Sequence, residues 1–230
     1  EHVDNFEVHG YERFVYQFIR QQYPDDVDYH IDQMKIYALD IEVQCENGFP
    51  DVEAAAEEML SITIKDMVTK KYYSWTTREF DAPDNLELNV SWTEQEMLTN
   101  FITWWAQNTP DILTGWNVNL YDVPYIARRV NRILGEKWMK SLSPWNRANE
   151  REVYVQGRRN YAYDISGINI LDYLDLYRKF TYSSQESYRL DHIAFVELGQ
   201  RKVNHDEYEN FKDFYTSDWQ KFMEYNIQDC

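Results

Sequence analysis

The sequence is organised around one stretch, Ile36-Tyr37-Ala38-Leu39-Asp40-Ile41-Glu42-Val43. Its apolar and β-branched residues run almost unbroken, which predicts a central β-strand covered on both faces. Side chains two positions apart on a strand share a face, so Asp40 and Glu42 point the same way, roughly 6.6 Å apart along the strand. Two unpaired buried anions are costly, and a divalent cation between them removes that cost. Taken alone, the octapeptide also fits an edge strand whose acids face water.

Composition limits the class of protein. The chain has 230 residues, of which 43% are hydrophobic and 17% aromatic, so it is long and apolar enough for one large domain or two small ones. The formal charge of −17 argues against a nonspecific nucleic-acid binder. That charge is uneven, because residues 128–159 sum to +6 and the remainder to −23. A phosphate-binding face is therefore compatible with the total.

Cysteine usage and hydropathy indicate a reducing compartment and no membrane partner. Cys45 and Cys230 provide no disulfide framework, and no apolar run approaches the ~18 residues that span a bilayer. The chain begins without Met and stops inside a predicted helix, so we interpret it as a piece of a larger protein. Residues 1–34 are acidic and predict one helix, from Tyr11 to Gln21. We expect them to be the C-terminal piece of a preceding N-terminal domain, with the principal domain at 35–230.

The rest of the chain predicts strands alternating with helices. The predicted elements are a hairpin at 59–64 and 70–75, a helix capped by Thr93 with Glu96 at N3, a buried strand at 111–117, a helix opened by Asp122, an Arg-tipped β-hairpin within 152–163, a strand at 168–172, and helices at 173–180, 188–198 and from an N-cap at Ser217 to the end.

Two acids outside the first strand have different simple interpretations. Standing alone, Asp122 is most simply an N-cap, and the arginines that follow it at 128, 129 and 132 are most simply a solvated face. Asp229 shares a helix face with Phe222 and Tyr225. An acid near a helix C-terminus opposes the helix dipole, so Asp229 is oddly placed for a purely structural role.

Three motifs occur in a fixed order along the chain. They are Leu39-Asp40-Ile41-Glu42-Val43 followed by Gly48-Phe49-Pro50, then Ile112-Leu113-Thr114-Gly115-Trp116-Asn117 continuing through Tyr121-Asp122-Val123-Pro124-Tyr125-Ile126, and finally Tyr225-Asn226-Ile227-Gln228-Asp229. Their order and spacing resemble the 3′→5′ exonuclease domain of family B DNA polymerases, in the DEDDy class and of the T-even-phage replicative type. The stretch from Ile170 to Tyr177 also looks like this family. The resemblance covers roughly Lys35 to Cys230, and its Asp-x-Glu element alone is a weak signal.

The resemblance implies a fold and a reaction. The fold is α/β and RNase H-like, with a mixed central sheet flanked by helices and an inserted β-hairpin. The reaction is hydrolysis of the 3′-terminal phosphodiester of single-stranded DNA, which releases nucleoside monophosphates and serves proofreading by a DNA-directed DNA polymerase. The implied cofactors are two Mg²⁺ or Mn²⁺ ions about 3.5–4 Å apart.

The resemblance also assigns roles to residues. Asp40, Glu42 and Asp229 are implied to hold one ion, Asp40 and Asp122 the second, and Tyr225 to orient the attacking water. The implied DNA contacts are Phe49 as a stacking residue, Asn117 on the terminal nucleotide, Arg158 and Arg159 on a hairpin that helps to separate the primer end from its template, and Lys202 on the substrate. Phe49 has the alternative of a loop residue tucked into the core.

The implied partners are the primer 3′ end, the remaining polymerase domains of the parent chain and, through that chain, a sliding clamp, in the cytoplasm of a host cell. Two other functions stay open from the residues alone. A noncatalytic domain serving DNA handling or polymerase assembly fits the charge of −17. A glycoside hydrolase fits paired carboxylates with eight Trp and 19 Tyr, although acids two apart on one strand are an unusual acid/base pair.

Overall fold

A computed structural model of the protein describes residues 14–230 apart from 26, 27, 29, 46–49, 156, 205 and 206. The chain divides into two compact units, residues 1–33 and residues 34–230. The described elements of the first unit are α1 (Phe14–Gln22) and a short 3₁₀ helix (Ile31–Gln33). The first positions of the predicted helix at 11–21 lie outside the described residues. No helix in the described part of the chain is long and apolar enough to cross a membrane.

The second unit alternates strands and helices, as the sequence predicts. Its described elements are β1 (Ile36–Val43), β2 (Met59–Asp66), β3 (Tyr72–Thr76), β4 (Leu86–Val90), α2 (Glu94–Gln107), β5 (Ile112–Gly115), α3 (Asp122–Leu134), α4 (Glu136–Lys140), β6 (Ala148–Val155), β7 (Arg158–Ile165), β8 (Asn169–Asp172), α5 (Tyr173–Phe180), α6 (Leu190–Leu198), α7 (Phe211–Ser217) and α8 (Trp219–Asp229).

Six strands form one mixed sheet in the order β4-β3-β2-β1-β5-β8. β2 is antiparallel to β1 and β3, whereas β5 is parallel to β1 and to β8. The predicted central position of β1 is confirmed, and the edge-strand alternative is wrong, because β1 is paired on both sides and its residues are buried or half-buried. β6 and β7 form the separate antiparallel hairpin. The mixed α/β fold with an inserted hairpin is therefore as predicted.

The two faces of β1 meet different surroundings. Leu39, Ile41 and Val43 belong to the main apolar core, to which α2 and α3 also contribute buried side chains. Asp40 and Glu42 lie on the opposite face, as the alternation of a strand requires. There α8 packs on β1 and β2, so the two acids lie under a helix and not in open solvent.

Three local predictions about helix ends meet different outcomes. Thr93 is the N-cap of α2, and its side chain accepts a hydrogen bond from the backbone N–H of Glu96 at 3.2 Å. Asp122 is not an N-cap, because it is the first residue of α3 and no side chain caps that helix. The prediction of Ser217 as N-cap is also wrong: Ser217 ends α7, and Asp218 caps α8 by accepting from the backbone N–H of Lys221.

The interpretation of the α3 arginines as a solvated face is wrong for two of the three. Arg129 is buried beside Glu94, and the side chain of Arg128 is only 13% exposed beside Glu150. Arg132 is exposed, yet it also donates to the carbonyl oxygen of Ala54. These arginines are held by partners distant in sequence, which helical periodicity does not reveal.

Candidate metal centre

Three carboxylates from distant parts of the chain meet on one face of the sheet. Asp40 and Glu42 share that face of β1, and Asp229 is the last residue of α8, which crosses it. One carboxylate oxygen of each residue lies within 4.8 Å of the others. The packing of α8 on β1 and β2 brings Asp229 to this group. Its placement is explained by convergence on the other two acids.

Asp122 lies beside this group. It is buried, and its Oδ1 accepts a hydrogen bond from the backbone N–H of Ile41 at 3.2 Å, between the two acids of β1. Among the described residues, it is not one of the carboxylates that lie mutually within 4.8 Å. The same backbone position that separates Asp40 from Glu42 therefore fixes the carboxylate of Asp122 next to both.

The surroundings of these acids disfavour their charged forms. Burial, followed by the neighbouring carboxylates, raises the pKa of Asp40 well above its ordinary value. Burial, with Asp229 as the next cause, raises the pKa of Glu42 to about 8, and burial raises that of Asp122 to about 7. Burial also raises the pKa of Asp229, against the opposing charge of Lys202. Without a bound cation, these acids therefore favour their protonated forms, and a divalent cation among them would favour the ionised forms.

Lys202 is the cation that faces the cluster. Its ammonium donates hydrogen bonds to Asp229 Oδ2 and, at 3.0 Å, to the hydroxyl oxygen of Tyr225, and it lies 4.6 Å from the centre of the Tyr225 ring. The backbone N–H of Lys202 donates to Asp191 of α6, and this bond anchors the segment that carries the ammonium. Lys202 thus pairs with one of the four acids, Asp229, and partly opposes the rise in its pKa.

The residues present fit a divalent metal ion. All four acidic side chains offer hard oxygen donors, which Mg²⁺ and Mn²⁺ prefer over the nitrogen and sulfur ligands of softer ions. Buried carboxylates with raised pKa values, opposed by one lysine, are a donor set whose charge a bound cation would neutralise. The geometry gives an acidic cluster that could hold a divalent metal ion.

Comparison with known proteins gives the family. The profile described as DNA polymerase family B, exonuclease domain, matches residues 14–193. The chain belongs to this family. The DNA-directed DNA polymerase of Enterobacteria phage T4 is 30% identical and that of Escherichia phage RB69 is 28% identical, each over 97% of this chain and 27% of the relative. The DNA polymerase catalytic subunit of Human herpesvirus 6B is 26% identical, over 72% of this chain and 17% of the length of the viral subunit.

The residues expected to contact DNA lie in three separate places. Asn117 follows β5, half-buried, with a left-handed backbone (φ 63°), and Lys202 lies in the acidic centre itself. Arg158 and Arg159 are exposed at the tip of the hairpin of β6 and β7. The Nε atom of Arg159 lies 3.7 Å from Oε1 of Glu152. Phe49 falls outside the described residues.

The sequence reasoning missed Asp172, which organises the loop around Asn117. Its buried carboxylate accepts three backbone N–H bonds of 3.0 Å each, from Asn117, Asn119 and Leu174. The loop after β5 and the start of α5 are thereby both fixed to the carboxylate of Asp172, at the end of β8. The signal was available, because Asp172 precedes a predicted helix and lies in the Ile170-to-Tyr177 stretch that resembles the family.

A second missed residue is Asn226, in the third motif between Tyr225 and Asp229. It is fully buried, and its side-chain amide donates a 2.6 Å hydrogen bond to Asp40 Oδ2. In the sequence, Asn226 is only one polar residue of the third motif, and nothing there indicates that it is buried. Its partner is 186 residues away, so local patterns do not reveal the contact.

Proposed function

We propose that residues 35–230 form a 3′→5′ exonuclease that hydrolyses the 3′-terminal phosphodiester of single-stranded DNA and releases nucleoside monophosphates. The observation that carries the proposal is the convergence of Asp40, Glu42 and Asp229 within 4.8 Å, with Asp122 bound to the backbone between the first two. Two divalent ions, Mg²⁺ or Mn²⁺, supply activation of the attacking water and stabilisation of the leaving oxygen when bound.

The proposed ligands divide between the two ions. Asp40, Glu42 and Asp229 would hold one, and Asp40 together with Asp122 the other. This division is supported by the surroundings of Asp40, because burial and then the charges of Glu42, Asp122 and Asp229 raise its pKa, so it lies close to all three acids. Asp40 is therefore the acid on which the whole site depends.

Tyr225 is the proposed donor that orients the attacking water. Burial raises its pKa to about 12, so the phenol stays protonated at neutral pH and acts by hydrogen bonding and not as a base. Lys202 binds both the phenolic oxygen of Tyr225 and the carboxylate of Asp229. We propose that it holds the two groups in a common geometry and that its ammonium contacts the negatively charged substrate.

The proposed DNA contacts outside the acidic cluster are Asn117, Phe49, Arg158 and Arg159. Asn117, whose backbone N–H is held by Asp172, is proposed to bind the terminal nucleotide. Phe49 is proposed to stack on the terminal bases. Arg158 and Arg159 at the hairpin tip are proposed to contact the strand backbone. Basic residues nearer the core are less available, because Arg128 and Arg129 are bound to Glu150 and Glu94.

The chain spans about a quarter of the length of the polymerases it matches, 27% in both phage relatives. We therefore propose that it works as the proofreading part of a DNA-directed DNA polymerase, in contact with the remaining domains of the parent chain. A sliding clamp reached through that chain and a location in the host cytoplasm belong to the same proposal.

A labelled-substrate assay tests the proposal. With Mn²⁺ present, a 5′-labelled single-stranded oligonucleotide should shorten stepwise from its 3′ end and release nucleoside monophosphates. Circular single-stranded DNA should stay intact, and a chelator should stop the reaction. Calorimetric titration with Mn²⁺ separates the alternatives. Metal binding without digestion of any 3′ end would favour the noncatalytic domain, and the absence of metal binding would remove the basis of the proposed activity.

A further inference from the structure

A row of small polar side chains lies buried beneath the acidic centre. Thr63 of β2 is directly opposite Asp40 on β1, Ser61 is opposite Glu42, and Ser74 of β3 is opposite Thr63. All three hydroxyl residues are fully buried. They lie on the strand pairs that carry the two acids and under α8, so a polar layer continues from the metal centre into the sheet.

Asn226 of α8 joins this layer to Asp40. Its Oδ1 accepts hydrogen bonds from the hydroxyls of Ser61, at 3.1 Å, and of Thr63. Its Nδ2 donates to Asp40 Oδ2 at 2.6 Å. Thr63 and Ser74 are 3.1 Å apart at their hydroxyl oxygens. Ser61, Thr63, Ser74 and Asn226 are called the hydroxyl–amide network below.

Donor and acceptor capacities give this network one direction. In the structure the NH₂ end of Asn226 faces Asp40 and the amide oxygen faces the hydroxyls. This orientation suits the ionised Asp40 that metal binding requires, because an ionised carboxylate only accepts. Thr63 gives its only hydroxyl hydrogen to that oxygen, so Ser74 is the donor between Ser74 and Thr63. The amide cannot turn over without placing its oxygen against the carboxylate. The orientation of Asn226 is thus set from beneath by two hydroxyls.

We propose that Asn226 is a positioning residue for Asp40, and that the hydroxyl–amide network fixes which oxygen of Asp40 remains for metal binding. The hydrogen bond takes Oδ2, which leaves the other carboxylate oxygen free of this bond and available to a metal ion. Outer hydrogen bonds of this kind orient metal-binding carboxylates and strengthen the site. The inference rests on the proposed function, because it assigns Asp40 a metal-binding role.

Mn²⁺ titration followed by electron paramagnetic resonance, on the intact chain without DNA, tests the inference. Asn226→Leu keeps the volume of the side chain but removes the donor to Asp40, and we expect the dissociation constant for Mn²⁺ to rise by about 10- to 100-fold. Thr63→Val removes only the hydroxyl that orients the amide. It touches no proposed ligand, so we expect a smaller increase in the same direction.

Ser143→Ala is the matched control for the loss of a buried hydroxyl. Ser143 is buried and donates to the carbonyl oxygen of Ser166 at the base of the hairpin, with no contact to the acidic centre. We expect it to lower the melting temperature while leaving the Mn²⁺ affinity within about twofold of the unmodified chain, since it alters no group near the ligands.

The outcomes separate this inference from the proposed function. Weakened Mn²⁺ binding in Asn226→Leu and in Thr63→Val, with normal binding in Ser143→Ala, supports the positioning role. Unchanged affinity in a folded Asn226→Leu protein, or in Thr63→Val if the leucine variant does not fold, overturns it and leaves the metal centre in place. If the unmodified chain binds no Mn²⁺, the proposed function fails first and the inference fails with it.

Discussion

Glu94 and Glu42 are buried to the same degree, each 8% exposed, yet their surroundings differ. Glu94 is held by Arg129, whose guanidinium donates to both carboxylate oxygens at 2.7 and 2.6 Å, and it also accepts from the backbone N–H of Met59. Glu42 instead lies near Asp229 and Asp122, and burial, followed by the charge of Asp229, raises its pKa to about 8. One buried acid is neutralised within the fold, whereas the other is left among like charges.

This difference distinguishes a structural ion pair from a site that takes its cation from outside. A buried pair with two good hydrogen bonds and its lone pairs satisfied is closed to ligands. Arg129 also donates to the carbonyl oxygens of Ala55 and Ala56, so its charge is fully used by the protein. The acids around Asp40 have no comparable arginine in the described part of the chain. Their charge is available to a metal ion.

The largest expected effect follows from removing Asp40. In Asp40→Ala, we expect the proposed 3′→5′ exonuclease rate to fall by on the order of 10³-fold or more, because several kcal/mol of transition-state stabilisation are lost. The measurement is the rate of release of nucleotides from single-stranded DNA with saturating Mn²⁺. Glu87→Ala, which removes an exposed acid paired with Lys71, is the matched control and should keep the rate. Robust digestion by Asp40→Ala would contradict the role of the acidic centre.

Removing Arg129 tests the other side of the comparison. In Arg129→Met, Glu94 is left buried without its partner, and we expect the free energy of unfolding to fall by about 3–5 kcal/mol. Urea denaturation measures it. Pairing the change with Glu94→Leu should recover part of this loss, because the uncompensated charge is then gone. A loss below about 1 kcal/mol would show that the pair contributes no more than a surface ion pair.

The fold was predictable where local patterns determine it. β1, the hairpin of β2 and β3, and the capped start of α2 follow from apolar periodicity and from Thr93 with Glu96, which act within a few residues. The ends of α7 and α8 were not predictable, because Ser217 and Asp218 are adjacent and both are good N-cap residues. In the structure, Asp218 accepts the bond from the backbone N–H of Lys221, and Ser217 belongs to α7.

The acids of the candidate site were predictable from ordered motifs, but their supporting residues were not. Ser61 and Thr63 alternate with apolar residues in β2, a pattern typical of a strand with one solvated face. The structure instead buries both hydroxyls under α8, where they bind Asn226. Because Asn226 lies more than 160 residues further along the chain, the pattern of β2 does not reveal this contact. Arg129 and Glu94 are likewise separated by 35 residues. Charge and polarity alone do not reveal such pairing.

The pH dependence of stability tests whether the acidic centre lacks a cation. The pKa of Glu42 is about 8 and that of Asp122 about 7 in the folded chain, both well above the values near 4 typical of unfolded chains. Between about pH 4 and pH 8, the folded state therefore binds more protons than the unfolded state. Without divalent ions, the free energy of unfolding should fall as pH rises from about 5 to about 8, by on the order of a few kcal/mol.

Urea denaturation at several pH values, with and without Mn²⁺, measures this effect. Mn²⁺ should restore most of the lost stability at pH 8, because it binds the ionised acids of the folded state. Glu42→Gln removes one titrating group and should flatten the metal-free profile. A flat profile in the unmodified chain, or an identical slope in Glu42→Gln, would contradict the assignment of these pKa values to the cluster.

The smallest expected effect on stability comes from the hairpin tip, where the arginines are exposed and not buried as Arg129 is. In the double variant Arg158→Ala with Arg159→Ala, we expect the free energy of unfolding to change by less than about 0.5 kcal/mol, because the charges there stay solvated. Binding of single-stranded DNA should change instead.

If both side chains contact phosphates, the plot of the logarithm of the binding constant against the logarithm of the salt concentration should become less steep by about 1.4. Each lost phosphate contact removes about 0.7 from that slope. Fluorescence anisotropy with a labelled oligonucleotide at several salt concentrations measures this slope. Lys71→Ala, which removes an exposed cation outside the hairpin, is the control and should leave the slope unchanged. An unchanged slope would remove the hairpin from the proposed DNA path while leaving the contrast between Glu94 and Glu42 intact, because that contrast depends only on buried charges.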